Sequence, residues 1–298
     1  MDLLALATLG SLSITIGLDP VAFSIGGLEV RWYGIMYVVG ISFAAWVVTR
    51  IAPRTGADVD ALWDLFPIAL FTGLAGGRLY YVVQDDFGDY LRNPAEIFAL
   101  WDGGMAFFGA IIAVVATILV FARVRGLSPW PMFDVISVFA VIGQMFGRVG
   151  NIVNGDVIGG PTSLPWGTVY THADSFVPEL GVSYHPAAAY SILANGVLLG
   201  VLYLAYRRWR YTGVTFGTYL IGYSVTQFVI FFWRINPDVA FGLAQAQLTA
   251  IAIGLIGVAI LAYRLEARDP IVEGDSTPVP ARQPATRAER RRRTRRRR

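Results

Sequence analysis

The chain has 298 residues, of which 55% are hydrophobic and only 15% charged, with a mean hydropathy of +0.54. Soluble domains are less apolar and far more charged, so a water-soluble globular fold is excluded and a polytopic membrane protein is expected. All 24 basic residues are arginine, against 21 acidic ones; cysteine is absent and there are only two histidines, His172 and His185. That rules out a disulfide framework or a thiolate metal centre and leaves little room for a histidine-built one.

The first residues, "MDLLALATLGSLSITIGLDP", are apolar but carry Asp2 where a signal peptide has its positive region. A cleaved signal, an external segment and a misassigned start all fit; an external segment is favoured. Stretches of about 20 mostly apolar residues then mark seven spans, at about 33–50, 62–83, 96–122, 130–152, 185–206, 214–233 and 243–264. The predicted fold is an all-α membrane bundle: an external N-terminal segment (1–32), a seven-helix domain (33–264) and a disordered Arg-rich tail (265–298). Glycine, with 32 residues, suits closely packed membrane helices.

Arginines set the direction. Arg50 and Arg54 follow the first span, Arg123 and Arg125 the third, Arg207, Arg208 and Arg210 the fifth, and Arg264 and Arg268 the seventh. The alternate connections are acidic: "QDDFGDYLRNPAE", and the stretch 154–184, which holds Asp156, Asp174 and Glu179 and no arginine. The N-terminus is therefore expected outside and the C-terminus in the cytoplasm. The closing "RQPATRAERRRRTRRRR" reads as a topology anchor for anionic head groups rather than a nucleic-acid arm.

Three arginines break this rule. Arg78 in "GLAGGRLYYVV", Arg148 in "MFGRVGNIVNG" and Arg234 in "FFWRINPD" lie near the outer ends of spans two, four and six. An arginine within a bilayer costs roughly 2.5–3.5 kcal/mol on insertion scales and cannot discharge by losing its proton. Snorkelling or pairing with Asp156, Asp238 or a carbonyl would explain one of them. Three at one depth point instead to an anion, and phosphate suits the guanidinium fork best. An outer-leaflet anionic phospholipid is the expected ligand. Asn151 and Asn154 follow Arg148 by three and six residues, giving one polar helical face if the helix continues; this reads as a lined cavity or as interhelical glue.

At these residues the sequence resembles the prolipoprotein diacylglyceryl transferase family. "GRVGNIVNGDVIGG" is similar to the family pattern Gly-Arg-x-Gly-Asn-x-x-Asn-Gly-Glu-x-x-Gly, with Asp156 in the Glu position. "DPVAFSIGGLEVRWYGIMYVVG", "GGRLYYV", "WDGGMAFFGA", "HPAAAY" and "FFWRINPD" resemble further family segments in order. The resemblance implies transfer of the diacylglyceryl group of phosphatidylglycerol to the lipobox cysteine of prolipoproteins, at the outer leaflet of a bacterial cytoplasmic membrane. It implies that Arg148 and Arg234 hold the lipid phosphate and that Asn151 and Tyr33 matter for activity, while Gly159 closes the signature. Arg78 and Asn154 join the expected phosphatidylglycerol contacts. No cofactor, metal or nucleic acid is expected.

The substrate supplies the thiol, so the protein needs no nucleophile of its own. A base for the thiol proton is the point of departure. The family's histidine after "GGM-x-F" is Phe108 here, Ser191 stands where the family has a glutamate, and Phe231 replaces another. Asp156 and His185 are the substitutes on offer, His185 being equally readable as a capping residue. The competing readings are a family member that binds anionic phospholipid or lipoprotein signal peptides without turnover, and a transporter or channel. No inverted repeat supports the last.

Overall fold

The computed structural model describes residues 13–85, 87–99 and 103–273. The expectations for the first 12 residues and for the Arg-rich stretch after residue 273 lie outside the described residues. Seven helices carry the fold: α1 (Trp32–Thr55), α2 (Val59–Gln84), α4 (Phe107–Arg125), α5 (Pro129–Asn154), α6 (Ala187–Arg208), α7 (Val214–Ile230) and α8 (Gln245–Ala267); a short α3 (Phe87–Arg92) lies between α2 and α4. Six of the seven are long and apolar enough to cross a membrane, and the seventh, α7, is a shorter apolar helix. The chain is a multi-pass membrane protein. Leu193, Val197 and Leu204 stand exposed along α6, as side chains facing lipid do.

Local chemistry sets the helix limits. Asp58 caps α2 by accepting from the Asp60 and Ala61 amides, the usual use of a carboxylate at a helix N-terminus. Gly56, Gly126 and Gly155 end α1, α4 and α5 in the left-handed conformation, which costs a glycine nothing. The helices pair as α1 with α5, α2 with α4, and α7 with α8. The α2–α4 contact depends on Gly76 and Gly109: a Cβ on Gly76 would sit 2.7 Å from the Gly109 carbonyl oxygen.

The third span starts later than its hydropathy suggests. Residues Pro94–Phe98 form a 3-10 helix and α4 begins only at Phe107, because the carbonyls of Glu96, Ile97, Gly103 and Gly104 turn inward to a buried guanidinium. At the other end α8 runs to Ala267, and the chain then folds back on the α6–α7 connection, where the Thr212 amide donates to the Asp269 carbonyl and the Ile271 amide to that of Arg210.

Short strands cap the bundle. β1 (Ile14–Ile16) pairs in parallel with β4 (Thr168–Tyr170), which pairs antiparallel with β5 (Ser183–Tyr184). A hairpin, β2 (Val21–Ile25) and β3 (Leu28–Arg31), leads directly into α1. β6 (Asp238–Ala240) and β7 (Leu243–Ala244) join α7 to α8. The all-α expectation holds for the bundle and omits these pairings, which link residues too distant in sequence for periodicity to reveal.

The opposite end of the bundle is held by buried charge. Asp134 is 1% exposed and accepts from the Gly213 and Phe216 amides at 2.6 and 2.8 Å, capping α7 from a neighbouring helix. Arg264, also 1% exposed, lies over the Trp130 ring and donates to the Thr212 carbonyl and hydroxyl and to Asp269. Removing the carboxylate strands two amides in an apolar setting. Asp134→Ala should destabilise the protein by about 2–3 kcal/mol, read as a lowered thermal midpoint of the detergent-solubilised protein, with Asp134→Asn falling between the two.

Candidate functional site

The last turns of α5 carry a continuous polar chain. Arg148 Nη1 donates to Asn151 Oδ1 at 3.1 Å, and the Asn151 amide donates to both carboxylate oxygens of Asp156 at 3.0 Å. Asn151 is 4% exposed. Residues three apart share a helix face, which explains the first link. The second needs the chain to turn back: α5 ends at Gly155 in the left-handed region, and Val157 follows with φ of 57°. A β-branched residue there is strained, and the strain lies beside the polar chain.

Glycines then stitch three elements together. The Gly159 amide donates to the His185 carbonyl, the His185 amide to the Gly160 carbonyl, and the Gly160 amide to the Trp233 carbonyl, all at 2.8–3.0 Å. Gly159 and Arg234 form a β-bridge. A Cβ on Gly159 would strike the Trp233 carbonyl oxygen and come within 2.7 Å of His185 Cβ, so only glycine fits. This crossing brings Arg234, from the end of α7, to the signature loop.

Arg234 arrives with little to neutralise it. Its Nε is buried without a hydrogen-bond partner, and its guanidinium lies 4.7 Å from the Phe231 ring centre. Burial pulls its pKa below the ordinary value and so does the Arg148 charge, with Asp156 opposing both. Among the described residues neither Arg148 nor Arg234 has a carboxylate within ion-pair range. Two guanidiniums that feel each other and share one carboxylate at a distance leave a net positive recess.

Tyr33 closes one side. The Gly150 position lies 2.9 Å, as a virtual Cβ, from the Tyr33 backbone, and the Tyr33 hydroxyl donates to that of Tyr37 at 3.1 Å. Asp156 and Arg148 act electrostatically on Tyr33, and Arg148 on Tyr223 of α7. Tyr170, in the cap, donates to the Ile152 carbonyl at 2.9 Å; burial pushes its phenol up to about 12, so it remains a donor.

Two expected members make their hydrogen bonds with other groups. Arg78 is 6% exposed and donates to the carbonyls of Glu96, Ile97, Gly103 and Gly104 at 2.6–2.9 Å. Four of its five N–H groups are given to backbone carbonyls, and in this way it organises the α2–α4 connection. Asn154 accepts from Arg31 Nη1 at 3.2 Å, and its carbonyl accepts from the Phe176 amide. Six residues along a helix point well away from the first, so Asn154 anchors the cap.

His185 borders a mostly apolar cavity of about 800 Å³, whose lining includes Ile152, Leu193, Ile230 and Trp233. Its Nδ1 lies 3.2 Å from the Tyr190 hydroxyl, which accepts from Trp166 Nε1 at 2.9 Å. A second cavity, of about 370 Å³, opens between α1, α2, α4 and α5 and is lined by Trp63, Phe66, Leu70 and Phe139 among others. Tyr37, Tyr190, Tyr223 and Trp166 were not singled out from sequence; the spacing of four between Tyr33 and Tyr37, and between Tyr219 and Tyr223, was the available signal.

Known proteins match most of this chain. A family model described as prolipoprotein diacylglyceryl transferase matches residues 20–263. Similar proteins include the phosphatidylglycerol–prolipoprotein diacylglyceryl transferase of Methylococcus capsulatus, 36% identical over 82% of this chain and 95% of the relative. The protein so named in Cupriavidus pinatubonensis is 36% identical over 88% of this chain and 96% of the relative. That of Pasteurella multocida is 32% identical over 82% and 91%.

Arg78→Ala frees four carbonyls at about 1 kcal/mol each before relaxation. It should lower the thermal midpoint while leaving the affinity of the folded protein for an anionic lipid within about twofold, measured by lipid titration. A much larger loss of affinity would return Arg78 to the anion site.

Proposed function

Because the chain belongs to the prolipoprotein diacylglyceryl transferase family, we propose that it moves the diacylglyceryl group of phosphatidylglycerol onto the lipobox cysteine of prolipoproteins. The observation that carries this reading is the pair Arg148 and Arg234: two guanidiniums beside one another without ion-pair partners, one with a buried donor left unused. A lipid phosphate supplies what they lack. Phe231, where the resemblance expects a carboxylate, faces Arg234 without neutralising it.

In the reaction the cysteine sulfur forms a bond to the terminal glycerol carbon of the diacylglyceryl group, and the bond from that carbon to the phosphate oxygen breaks. Glycerol phosphate leaves with the bonding electrons. Arg148 and Arg234 face the negative charge that grows on the departing oxygen, and in a water-poor recess fixed donors of this kind contribute several kcal/mol. Asn151 holds Arg148 and Asp156 in register. The apolar cavity between α1, α2, α4 and α5 offers room for acyl chains.

The proton of the thiol goes to Asp156. Trp166 Nε1 donates to the Tyr190 oxygen, and the Tyr190 hydroxyl shares a 3.2 Å hydrogen bond with His185 Nδ1. That bond ties the His185 ring to Tyr190 at the border of the apolar cavity, whereas Asp156 belongs to the Arg148–Asn151 chain. Ser191, where the resemblance expects an acid, hydrogen-bonds the Ala187 carbonyl within its own helix and supplies no base.

The segregation of arginine-rich and acidic connections supports an outside N-terminus and a cytoplasmic C-terminus. The Tyr206 hydroxyl donates to the Arg54 carbonyl, and Glu273 pairs with Arg210, which gathers basic connections at the end opposite the signature loop. The site then opens toward the outer leaflet of a bacterial cytoplasmic membrane, where phosphatidylglycerol and signal peptides meet.

The test is transfer from phosphatidylglycerol to a lipobox peptide by the purified protein, followed by mass spectrometry. Arg148→Ala should lower the rate by at least about 10²–10³-fold; unchanged transfer would remove the phosphate site from the mechanism. Loss of the base should cost about 10²–10⁴-fold, so Asp156→Asn should fall in that range, while Asp156→Glu, which restores the pattern's own residue, stays near the parent. His185→Gln should keep the rate within about tenfold, and a deeper loss than that of Asp156→Asn would transfer the base to His185.

A further inference from the structure

The hairpin that leads into α1 alternates in character from one cross-strand pair to the next. Phe23 pairs with Val30, Ser24 with Glu29 and Ile25 with Leu28. Successive pairs of a two-stranded ribbon point to opposite faces. Phe23, Ile25, Leu28 and Val30 therefore share one face, and Ser24 and Glu29 the other. Arg31, one residue beyond Val30, returns to the polar face and lies 3.8 Å from Glu29. Gly26 and Gly27 close the turn with φ of 56° and 84°, the doubly positive backbone that a tight hairpin turn favours.

The protein uses the polar face. Arg31 donates to Asn154 Oδ1 and to the Asp174 carbonyl, and its guanidinium lies 4.2 Å from the Phe176 ring centre. The apolar face is left uncovered: Phe23, Ile25 and Leu28 are 49%, 67% and 70% exposed. Among the described residues, a Cβ on Gly26 or Gly27 would meet nothing within 4 Å. Large apolar side chains grouped in one uncharged patch mark a contact surface. Their position says what covers them. β3 runs without a break into α1, a helix long and apolar enough to cross a membrane, and Arg31 is its N-cap. Four strand residues span about 13 Å, so the hairpin tip stays near the boundary where α1 enters the bilayer. Four side chains fall far short of the roughly 20–30 residues a side of a stable protein interface. Lipid sets no such threshold, because the spans already hold the patch at the bilayer and no association cost remains.

We propose that the β2–β3 ribbon is a lipid-docking element, with Phe23, Ile25 and Leu28 seated in the leaflet beside α1 and with Arg31 facing the cap. An amphipathic element at such an interface buries its apolar face about 5–10 Å into the boundary between head groups and acyl chains. Seated in this way, the ribbon ties the level of the lipid surface to Arg31, and through it to Asn154 at the end of α5. Tyr33 follows two residues later in the same chain. The seat depends on the membrane-spanning fold and not on the transfer reaction.

The chain has no cysteine, so single substitutions place one nitroxide label each in the full-length protein. Ile25→Cys and Leu28→Cys report the apolar face, Ser24→Cys the polar face, and Val197→Cys, 69% exposed on α6, serves as the lipid-facing reference. All four positions are exposed, and a thermal midpoint equal to the parent's shows that each labelled variant is folded. In phosphatidylcholine nanodiscs, power-saturation paramagnetic resonance compares relaxation by oxygen, which concentrates in lipid, with relaxation by a water-soluble nickel chelate. The oxygen-to-nickel ratio at Ile25 and Leu28 should be several-fold higher than at Ser24 and approach that at Val197. A ratio no higher than at Ser24 overturns the proposal, because the two faces then share one surrounding. Weak relaxation by both agents at Ile25 and Leu28 overturns it as well, by showing that protein, not lipid, covers the face.

Discussion

A guanidinium cannot shed its charge, so every arginine within an apolar bundle must be given partners by the fold. This chain solves the problem in three ways, and the differences between them define its architecture. Arg78 is satisfied by carbonyls that a 3-10 helix and its following turn present to it. Arg264 is satisfied by Thr212, Asp269 and an aromatic face. Arg148 is only half satisfied, through Asn151, and Arg234 less so. Charge left uncompensated where other buried charges are carefully paired is why we propose that the molecule meets its anion there.

The cap depends on that same place. Gly155 turns the chain out of α5, Asp156 folds back onto Asn151, and Gly159 and Gly160 thread between the start of α6 and the end of α7. One short loop therefore fixes the mutual position of Arg148 within α5, His185 just before α6 and Arg234 just after α7. A side chain at Gly159 would push the Trp233 backbone away and with it the second guanidinium. Rigid main-chain stitching of this kind suits donors that, in the proposed reaction, face a charge only as it forms.

Legibility followed sequence distance. Arg148, Asn151 and Asp156 were readable because a helix turn and one glycine reversal bring them together locally. Arg234 was readable as an anomaly of charge, although its approach to Gly159 was not, since a β-bridge between distant residues leaves no periodic trace. Asn154 looked like a third member of the polar face, but six residues carry it round to Arg31. Arg78 looked equivalent to its fellows because its partners are backbone carbonyls, which every sequence possesses. For the same reason hydropathy puts the third span too early: Ile97, Phe98 and Ala99 are apolar, yet they sit at a 3-10 helix whose Glu96 and Ile97 carbonyls serve Arg78. The seven apolar helices and their order, by contrast, followed directly from hydropathy.

The central claim is that Arg148 and Arg234 act on one phosphate. A double-mutant cycle on transfer, with Arg148→Lys, Arg234→Lys and the pair, isolates that relation, because lysine keeps the charge but loses the fork. If both guanidiniums grip the same anion, the double variant should lose less than the sum of the single losses, with a coupling of about 1–3 kcal/mol. Strictly additive losses would mean that the two arginines serve separate groups, and would contradict the account.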